Sequence, residues 1–227
     1  TSGIAESILA ERIADWEDAL PEVLHLAYLP APNIVRLRLS AYEVDGQSVA
    51  AMIDEQFELL KAIIPEAVVG FEDATVEQLV HNALIAQGKT LSVAESCTGG
   101  NIAAKFTAMA GASAYFQAGV VSYSNEAKVD ILGVNAEDIA RYGAVSEQVA
   151  LQMAEGARRV GRSDYAIATT GIAGPSGGSA EKPVGTVWIG VATPEGSFAV
   201  LKNCGTDRGQ IVQRATAYAI KLLYEQL

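Results

Sequence analysis

Hydrophobic positions in the first 71 residues follow two different periods. Between residues 4 and 18, apolar side chains recur every three or four positions, which is typical of an amphipathic helix. Ile34–Tyr42 alternates between apolar and polar residues, as a half-buried strand does, and Leu24–Leu29 precedes it as another strand. A second amphipathic helix follows from about residue 49, and Val68–Phe71 is predicted to be a short strand. Turns are predicted at 30–33 and 45–46. This order predicts a small α+β domain.

From about residue 74 the pattern changes to alternating strands and helices. Thr75 and Gln78 fit a capping box that begins a helix running to about Ala86. The predicted strands are 90–95, 118–123, 164–170, 184–193 and 197–202, and the predicted helices are 99–110, several across 125–160, and 207–226. The alternation predicts an α/β/α layered domain with a mixed, mainly parallel sheet and one antiparallel hairpin. The predicted domains are therefore 1–73 and 74–227.

Composition limits the classes of partner. Half of the 227 residues are hydrophobic and 19% are charged, which favours a well-buried core over disorder. The net charge of −11 repels phosphate backbones, so no nucleic-acid partner is expected. A small anion can still bind in a locally basic pocket. Apolar runs fall short of the roughly 20 residues of a membrane span, and no signal peptide opens the chain. We expect a cytoplasmic protein without membrane contact.

Histidine and cysteine usage excludes several kinds of site. His25 and His81 lie outside the glycine-rich loops, so a Ser-His-Asp triad is not expected. Cys97 and Cys204 form neither a disulfide framework nor a CxxC metal motif. Neither a metal nor a cofactor is expected.

The segment Ala94–Gly100 directly follows a predicted strand and begins a helix. Such a junction exposes backbone N–H groups that favour an anion or a developing oxyanion, and it would hold Ser96 or Cys97 at a sharp turn. A plain turn with a Ser or Thr cap explains the same residues. Thiols are the better nucleophiles but buried cysteines are usually inert, so Ser96 is favoured and Cys97 remains an alternative.

The segment Ser122–Lys128 also lies where a strand ends and a helix begins. A lysine desolvated in a closed site can act as a base, and the Tyr123 hydroxyl could orient its amine. A solvated surface lysine is the commoner case. If Ser96 or Cys97 attacks a substrate, Lys128 is the best-placed base, and Ser-Lys pairs are a known variant of the nucleophile and base.

Two more glycine-rich segments and one arginine complete the candidates. Thr169–Gly178 contains four glycines after a buried strand, as a ligand-binding loop would, and Lys182–Val187 leads into the hairpin. Arg208 begins the last helix, where a cation opposes the helix dipole. That mismatch favours a phosphate-binding role over an exposed surface position.

Together these segments resemble the C-terminal domain of the CinA family, whose stand-alone members are called PncC. The matching residues occur in order over about 150 positions with ordinary spacing. They are Ala94–Gly100, Tyr123–Lys128, Gly143–Glu147, Thr170–Pro175, Gly177–Gly178, Lys182–Val187 and Arg208.

The resemblance implies hydrolysis of the carboxamide of nicotinamide mononucleotide to nicotinic acid mononucleotide and ammonia. It implies Ser96 as the nucleophile, with Lys128 and Tyr123 as its activating partners. It further implies a set of residues around the nucleotide: Cys97, Thr98, Gly99, Gly100, Thr170, Gly171, Ala173, Gly174 and Arg208. A sensor or scaffold that binds a pyridine nucleotide without turnover is the alternative.

The first region resembles the KH-type middle domain of full-length CinA proteins. It has no GxxG loop within residues 1–71, so we expect a spacer or an oligomerisation element, and a homo-oligomer such as a dimer. The family's N-terminal domain is absent and the chain begins with Thr1, so we expect that it is part of a longer protein.

Overall fold

The computed structural model describes residues 1, 4–31, 34–42, 46–71 and 74–227. They form two compact units, Thr1–Ala74 and Thr75–Leu227. Within the described residues, no helix has both the length and the apolar composition required to cross a bilayer.

The first unit is built from two helices and a two-stranded antiparallel sheet. Its elements are α1 (Glu6–Asp18), β1 (Leu24–Ala31), β2 (Ile34–Ala41) and α2 (Gly46–Ile63). Inward-facing residues of both helices and β2 form one core with the segment after α2. That core contains Leu9, Ile13, Trp16, Val35, Leu60, Ile64 and Ala67.

The predicted strand at Val68–Phe71 does not form. The backbone N–H of Val68 instead donates to Ile64 O at 3.1 Å, and the Val68 side chain packs against the core. Phe71 stacks on Phe57 with ring centroids 5.0 Å apart. The apolar residues Val68 and Phe71 therefore pack against the core and α2 without forming a strand. A short apolar run in a sequence is compatible with a strand and with an irregular packed segment. Residues 32, 33 and 45 of the predicted turns lie outside the described part of the chain.

The second unit alternates strands and helices, as predicted. Its helices are α3 (Val76–Gln87), α4 (Asn101–Thr107), α5 (Asn125–Leu132), α6 (Ala136–Tyr142), α7 (Glu147–Gly161) and α8 (Arg208–Tyr224). Its strands are β3 (Leu91–Glu95), β4 (Phe116–Val121), β5 (Tyr165–Gly171), β6 (Thr186–Ala192) and β7 (Ser197–Asn203). Half of the predicted capping box forms: Thr75 accepts from the Gln78 N–H, but the Gln78 side chain donates to Asn82.

The five strands form one sheet in the order β4-β3-β5-β6-β7. β3 is parallel to both β4 and β5, whereas β6 is antiparallel to β5 and to β7. The predicted mixed, mainly parallel sheet is confirmed, because β6 alone opposes the direction of the others. Apolar residues of α5 and α7 cover one face; among them are Leu132, Val149, Met153, Ala154 and Ala157.

Parallel pairing brings the carboxyl ends of β4, β3 and β5 to one edge of the sheet. Main-chain bonds extend this alignment by one residue, since Ser96 N donates to Thr169 O and Ser122 N donates to Glu95 O, both at 2.9 Å. The residues after the three strands therefore lie side by side, and β3 is in the middle.

Candidate active site

Ser96 and Lys128 meet at this edge of the sheet. Ser124 caps α5 by accepting from the Ala127 N–H at 3.1 Å, so Lys128 lies in the first turn of the helix, beside the strand ends. Its side chain is only 1% exposed. The Lys128 Nζ donates to Ser96 Oγ at 3.1 Å, to Ser122 O at 2.7 Å and to Tyr123 O at 3.3 Å.

Burial lowers the pKa of Lys128, because desolvation penalises the ammonium, while the carboxylate of Glu126 acts in the opposite direction. A neutral amine has two N–H groups and one lone pair. The two closest carbonyls, those of Ser122 and Tyr123, can accept the two N–H groups, while the Ser124 carbonyl lies farther away at 3.4 Å. The lone pair is then left for the hydroxyl of Ser96. The arrangement suits proton transfer from serine to lysine.

Cys97 is poorly placed to replace Ser96. Its side chain is 7% exposed, and burial raises the pKa of its thiol to about 12, so it stays protonated at neutral pH. It also packs towards β5, where a Cβ added to Gly171 would lie 3.1 Å from its Sγ. Cys97 therefore limits which residues fit at position 171, and the geometry favours Ser96 as the nucleophile.

The buried carboxylate of Glu95 caps the amino end of α4. The Glu95 carboxylate accepts from the backbone N–H groups of Gly100 and Ile102 at 3.0 Å and of Ala103 at 2.8 Å. Gly100 is the N-cap and has φ +98°, a left-handed conformation that favours glycine. The N–H groups of Gly100, Ile102 and Ala103 therefore cannot bind a substrate anion as expected, because they already donate to the carboxylate of Glu95.

Of the other backbone N–H groups between Cys97 and Asn101, two have acceptors among the described residues and two do not. Gly99 N donates to Ser96 O at 3.2 Å, and Asn101 N donates to Thr98 O at 3.1 Å. No oxygen of the described residues accepts the N–H of Cys97 or Thr98. These two donors directly follow Ser96.

Two threonines predicted to bind substrate use their hydroxyls inside the protein. Thr98 is 1% exposed and shares a 2.7 Å hydrogen bond with Thr169. Thr170 is also 1% exposed and donates to Ala144 O at 2.7 Å. These side chains hold the loops together, and the structure gives neither of them a free hydroxyl.

The loop after β5 is packed too closely for larger residues. A Cβ on Gly171 would lie 2.7 Å from Val187 Cγ2, so a side chain there would force β5 and β6 apart. Ala173 is 6% exposed and therefore forms part of the wall beneath the loop. Gly174 contributes its carbonyl, which accepts from Arg208 Nη1 at 2.7 Å.

Arg208 connects the loops on either side of Ser96. Besides Gly174, its guanidinium donates through Nη2 to the Tyr123 hydroxyl at 3.2 Å. Tyr123 follows β4 and Gly174 follows β5, so the bridge spans the end of β3. The structure thus brings Tyr123 to Lys128 through its carbonyl, while its hydroxyl contacts Arg208.

The roles of Glu95 and Lys182 were not predicted from the sequence. The Lys182 Nζ donates to Tyr142 O at 2.6 Å and to Val145 O at 2.8 Å, and so ties its loop to the segment before α7. A carboxyl residue inside an otherwise apolar strand was the available signal for Glu95, because a buried charge requires partners. Within the described residues, no group of three or more His, Cys, Asp or Glu side chains could hold a metal ion.

With this geometry established, comparison with known proteins identifies the family. The profile described as "CinA C-terminal domain" matches residues 73–227. The profile described as "Damage-inducible protein CinA KH domain" matches residues 1–70. The chain belongs to the CinA family.

Full-length relatives in the CinA family are about twice as long as this chain. A "CinA-like protein" of Flavobacterium psychrophilum is 46% identical over the whole of this chain and 54% of its own length. A "Putative competence-damage inducible protein" of Desulforudis audaxviator is 45% identical over 85% of this chain and 46% of its own length. The chain therefore spans about half the length of the curated relatives it matches.

Solved structures of the CinA superfamily share the fold. A protein from Klebsiella pneumoniae aligns with a TM-score of 0.64 and 38% identity, covering 67% of this chain and 98% of its own. The "competence/damage inducible protein CihA" of Agrobacterium tumefaciens aligns with a TM-score of 0.63 and 41% identity, covering 68% of this chain and 97% of its own.

Proposed function

We propose that this CinA-family chain hydrolyses the carboxamide of nicotinamide mononucleotide, giving nicotinic acid mononucleotide and ammonia. The observation that carries the proposal is the 3.1 Å contact between Lys128 Nζ and Ser96 Oγ, formed by an almost fully buried lysine. Family membership and the motifs that resemble PncC support the choice of substrate.

In the first half of the reaction, Ser96 Oγ attacks the carboxamide carbon. Its proton passes to the neutral amine of Lys128, and the carbonyl oxygen becomes an oxyanion. The N–H groups of Cys97 and Thr98 have no acceptor among the described residues, so they can donate to the oxyanion and stabilise its charge. The C–N bond then breaks, the ammonium of Lys128 returns its proton to the leaving nitrogen, and ammonia departs from an ester on Ser96.

In the second half, water takes the place that ammonia leaves. Lys128 accepts a proton from the water as its oxygen attacks the ester carbon. Collapse of the tetrahedral intermediate breaks the bond to Ser96, and the serine oxygen recovers a proton from Lys128. One water is consumed for each carboxylic acid and ammonia formed, the acid then loses its proton to solvent to give the carboxylate, and the enzyme returns to its starting state.

Arg208 is the proposed partner of the substrate phosphate. Arg208 is exposed, and its guanidinium contacts two neutral groups, the Gly174 carbonyl and the Tyr123 hydroxyl. A phosphate dianion would be the stronger partner for its N–H groups. The alternative donors at the start of α4 are already taken by Glu95.

Ammonia release tests the proposal directly. We expect the chain to release ammonia from nicotinamide mononucleotide in proportion to the nicotinic acid mononucleotide formed, and much more slowly from free nicotinamide. Binding of the nucleotide without ammonia release would contradict the proposal and favour a sensor.

A further inference from the structure

The buried Glu95 has no chemical role in the proposed reaction. It is 0% exposed and precedes Ser96 at the end of β3. Neighbouring residues of a strand point to opposite faces, so Glu95 reaches the α4 side while Ser96 reaches Lys128. A carboxylate removed from water is costly unless it is fully paired, and Glu95 is paired with three backbone N–H groups.

These bonds replace the cap that the helix sequence does not provide. Gly100, the N-cap of α4, has no side chain that could accept from the first turn. Both oxygens of Glu95 are used instead, because Oε2 accepts from Gly100 and Ile102 while Oε1 accepts from Ala103. Glu95 thereby connects the residue before Ser96 to the helix that follows it.

We propose that Glu95 is a positioning residue for the nucleophile, because its three backbone contacts fix the turn Ser96–Gly100 between β3 and α4. The fixed turn holds Ser96 Oγ against Lys128 and leaves the Cys97 and Thr98 amides free to act as donors. This inference rests on the proposed function only in requiring that Ser96 is an activated nucleophile.

Glu95 is inferred to fix the position of Ser96 and not to change the pKa of Lys128. Burial lowers the pKa of Lys128 and the Glu126 carboxylate raises it, whereas Glu95 is not among the groups that shift it. Removing the charge of Glu95 should therefore displace the nucleophile without moving the pH at which Lys128 loses its proton. This separates Glu95 from a residue that tunes the base.

Glu95→Gln is the decisive variant. A glutamine has one acceptor oxygen, and its NH₂ group would face backbone N–H donors that the carboxylate now accepts. Asp164→Asn is the matched control. The Asp164 carboxylate accepts from the Thr90 N–H at 3.0 Å and from its hydroxyl at 2.8 Å, at the amino ends of β3 and β5, away from Ser96.

The test uses phenylmethanesulfonyl fluoride, so that it does not depend on the natural substrate. Ser96 Oγ forms a bond to sulfur, the S–F bond breaks, fluoride leaves, and Lys128 takes the serine proton. The rate of labelling is followed by intact mass as a function of pH, and Ser96→Ala identifies the labelled site. Thermal midpoints and ammonia release from nicotinamide mononucleotide are measured on the same samples.

We expect Glu95→Gln to slow labelling of Ser96 roughly 10- to 100-fold, the cost of displacing a reacting group by about 1 Å. The pH midpoint should stay unchanged, and kcat for the nucleotide should fall while KM changes little. Asp164→Asn should label at the parental rate even if its thermal midpoint falls as far. If the parent is labelled but releases no ammonia, the substrate assignment fails and the role of Glu95 stands.

Three results would overturn the inference. One is parental labelling of Glu95→Gln, and another is equal slowing of labelling in Asp164→Asn. The third is a parent whose Ser96 the reagent does not modify, since there would then be no activated nucleophile to position. If Glu95→Gln does not fold, Glu95→Asp serves in its place, because it keeps the charge but is one methylene shorter. A chain that folds with neither substitution makes Glu95 a folding determinant and also overturns the inference.

Discussion

Some side chains at the site are placed to take part in the proposed reaction, and others only hold the backbone in position. Lys128 keeps its amine out of water against main-chain carbonyls, and only its contact with Ser96 joins it to a hydroxyl. The Thr98 and Thr170 hydroxyls, by contrast, face the protein. Proton transfer is therefore assigned to one pair of side chains, and its pH dependence should follow the state of Lys128.

The charge near Lys128 predicts a pH effect. The proposed reaction requires the neutral amine of Lys128, so kcat should rise with pH through the lowered pKa of Lys128 and then level off. The Glu126 carboxylate raises that pKa, so Glu126→Gln should move the midpoint of the kcat profile to lower pH. Asp130→Asn, on the same helix, is the control and should leave the midpoint in place. A shift to higher pH in Glu126→Gln would contradict the assignment of Lys128 as base.

Arg208 predicts a discrimination between substrates. Arg208→Gln should raise KM for nicotinamide mononucleotide roughly 10- to 100-fold, the contribution of a charge-assisted phosphate contact. Nicotinamide riboside has no phosphate, so its kcat/KM should change little. Steady-state kinetics with both substrates make the comparison, and an equal loss for both would remove Arg208 from phosphate binding.

At the scale of elements, the site is held by contacts between loops that are distant in sequence. Lys182 donates to the carbonyls of Tyr142 and Val145, and Thr170 donates to Ala144. These three bonds fix the segment before α7 against β5 and against the loop between β5 and β6. The rigidity of the site therefore depends on polar contacts as well as on the core.

Lys182→Met tests this support. It should lower the free energy of unfolding by about 2 kcal/mol, since two carbonyls lose a charged donor, and should make residues 176–181 more accessible to proteases. Lys105→Met is the matched control, because the Lys105 side chain is 57% exposed in its ion pair with Glu77, and an ion pair open to water on one side should contribute only about 0–1 kcal/mol. Urea denaturation and limited proteolysis measure both effects, and equal losses would contradict the supporting role of Lys182.

Element order was predictable from the hydrophobic pattern, whereas details at element ends were not. The helix predicted at 99–110 begins at Asn101, because Gly99 and Gly100 are part of the turn. Glu95 closes that turn through backbone amides, and sequence does not reveal which amides a side chain will contact. Lys128 was predicted as a partner of Ser96 because both follow strands, but its burial came only from the structure.

At the scale of the whole molecule, the chain consists of two units, and every residue assigned to the site lies in Thr75–Leu227. The solved CinA structures cover about two-thirds of this chain and nearly all of their own length. The proposed chemistry should not require the first unit.

Truncation tests this independence. The fragment 75–227 should fold cooperatively and release ammonia from nicotinamide mononucleotide with kcat within about 3-fold of the whole chain, since it contains every residue assigned to the site and independent parts of a protein contribute nearly additively. Circular dichroism and steady-state kinetics on both chains provide the comparison. A folded but inactive fragment would show that the first unit contributes to the site.

The pairing of Ser96 with Lys128 is most directly tested by ammonia release from nicotinamide mononucleotide by the parent, Ser96→Ala, Lys128→Met and Cys97→Ala. We predict turnover in the parent and in Cys97→Ala, and a loss of at least about 1,000-fold in the other two variants while they remain folded, as expected when a nucleophile or its base is removed. Turnover that survives in Ser96→Ala but is lost in Cys97→Ala would contradict the account and make Cys97 the nucleophile.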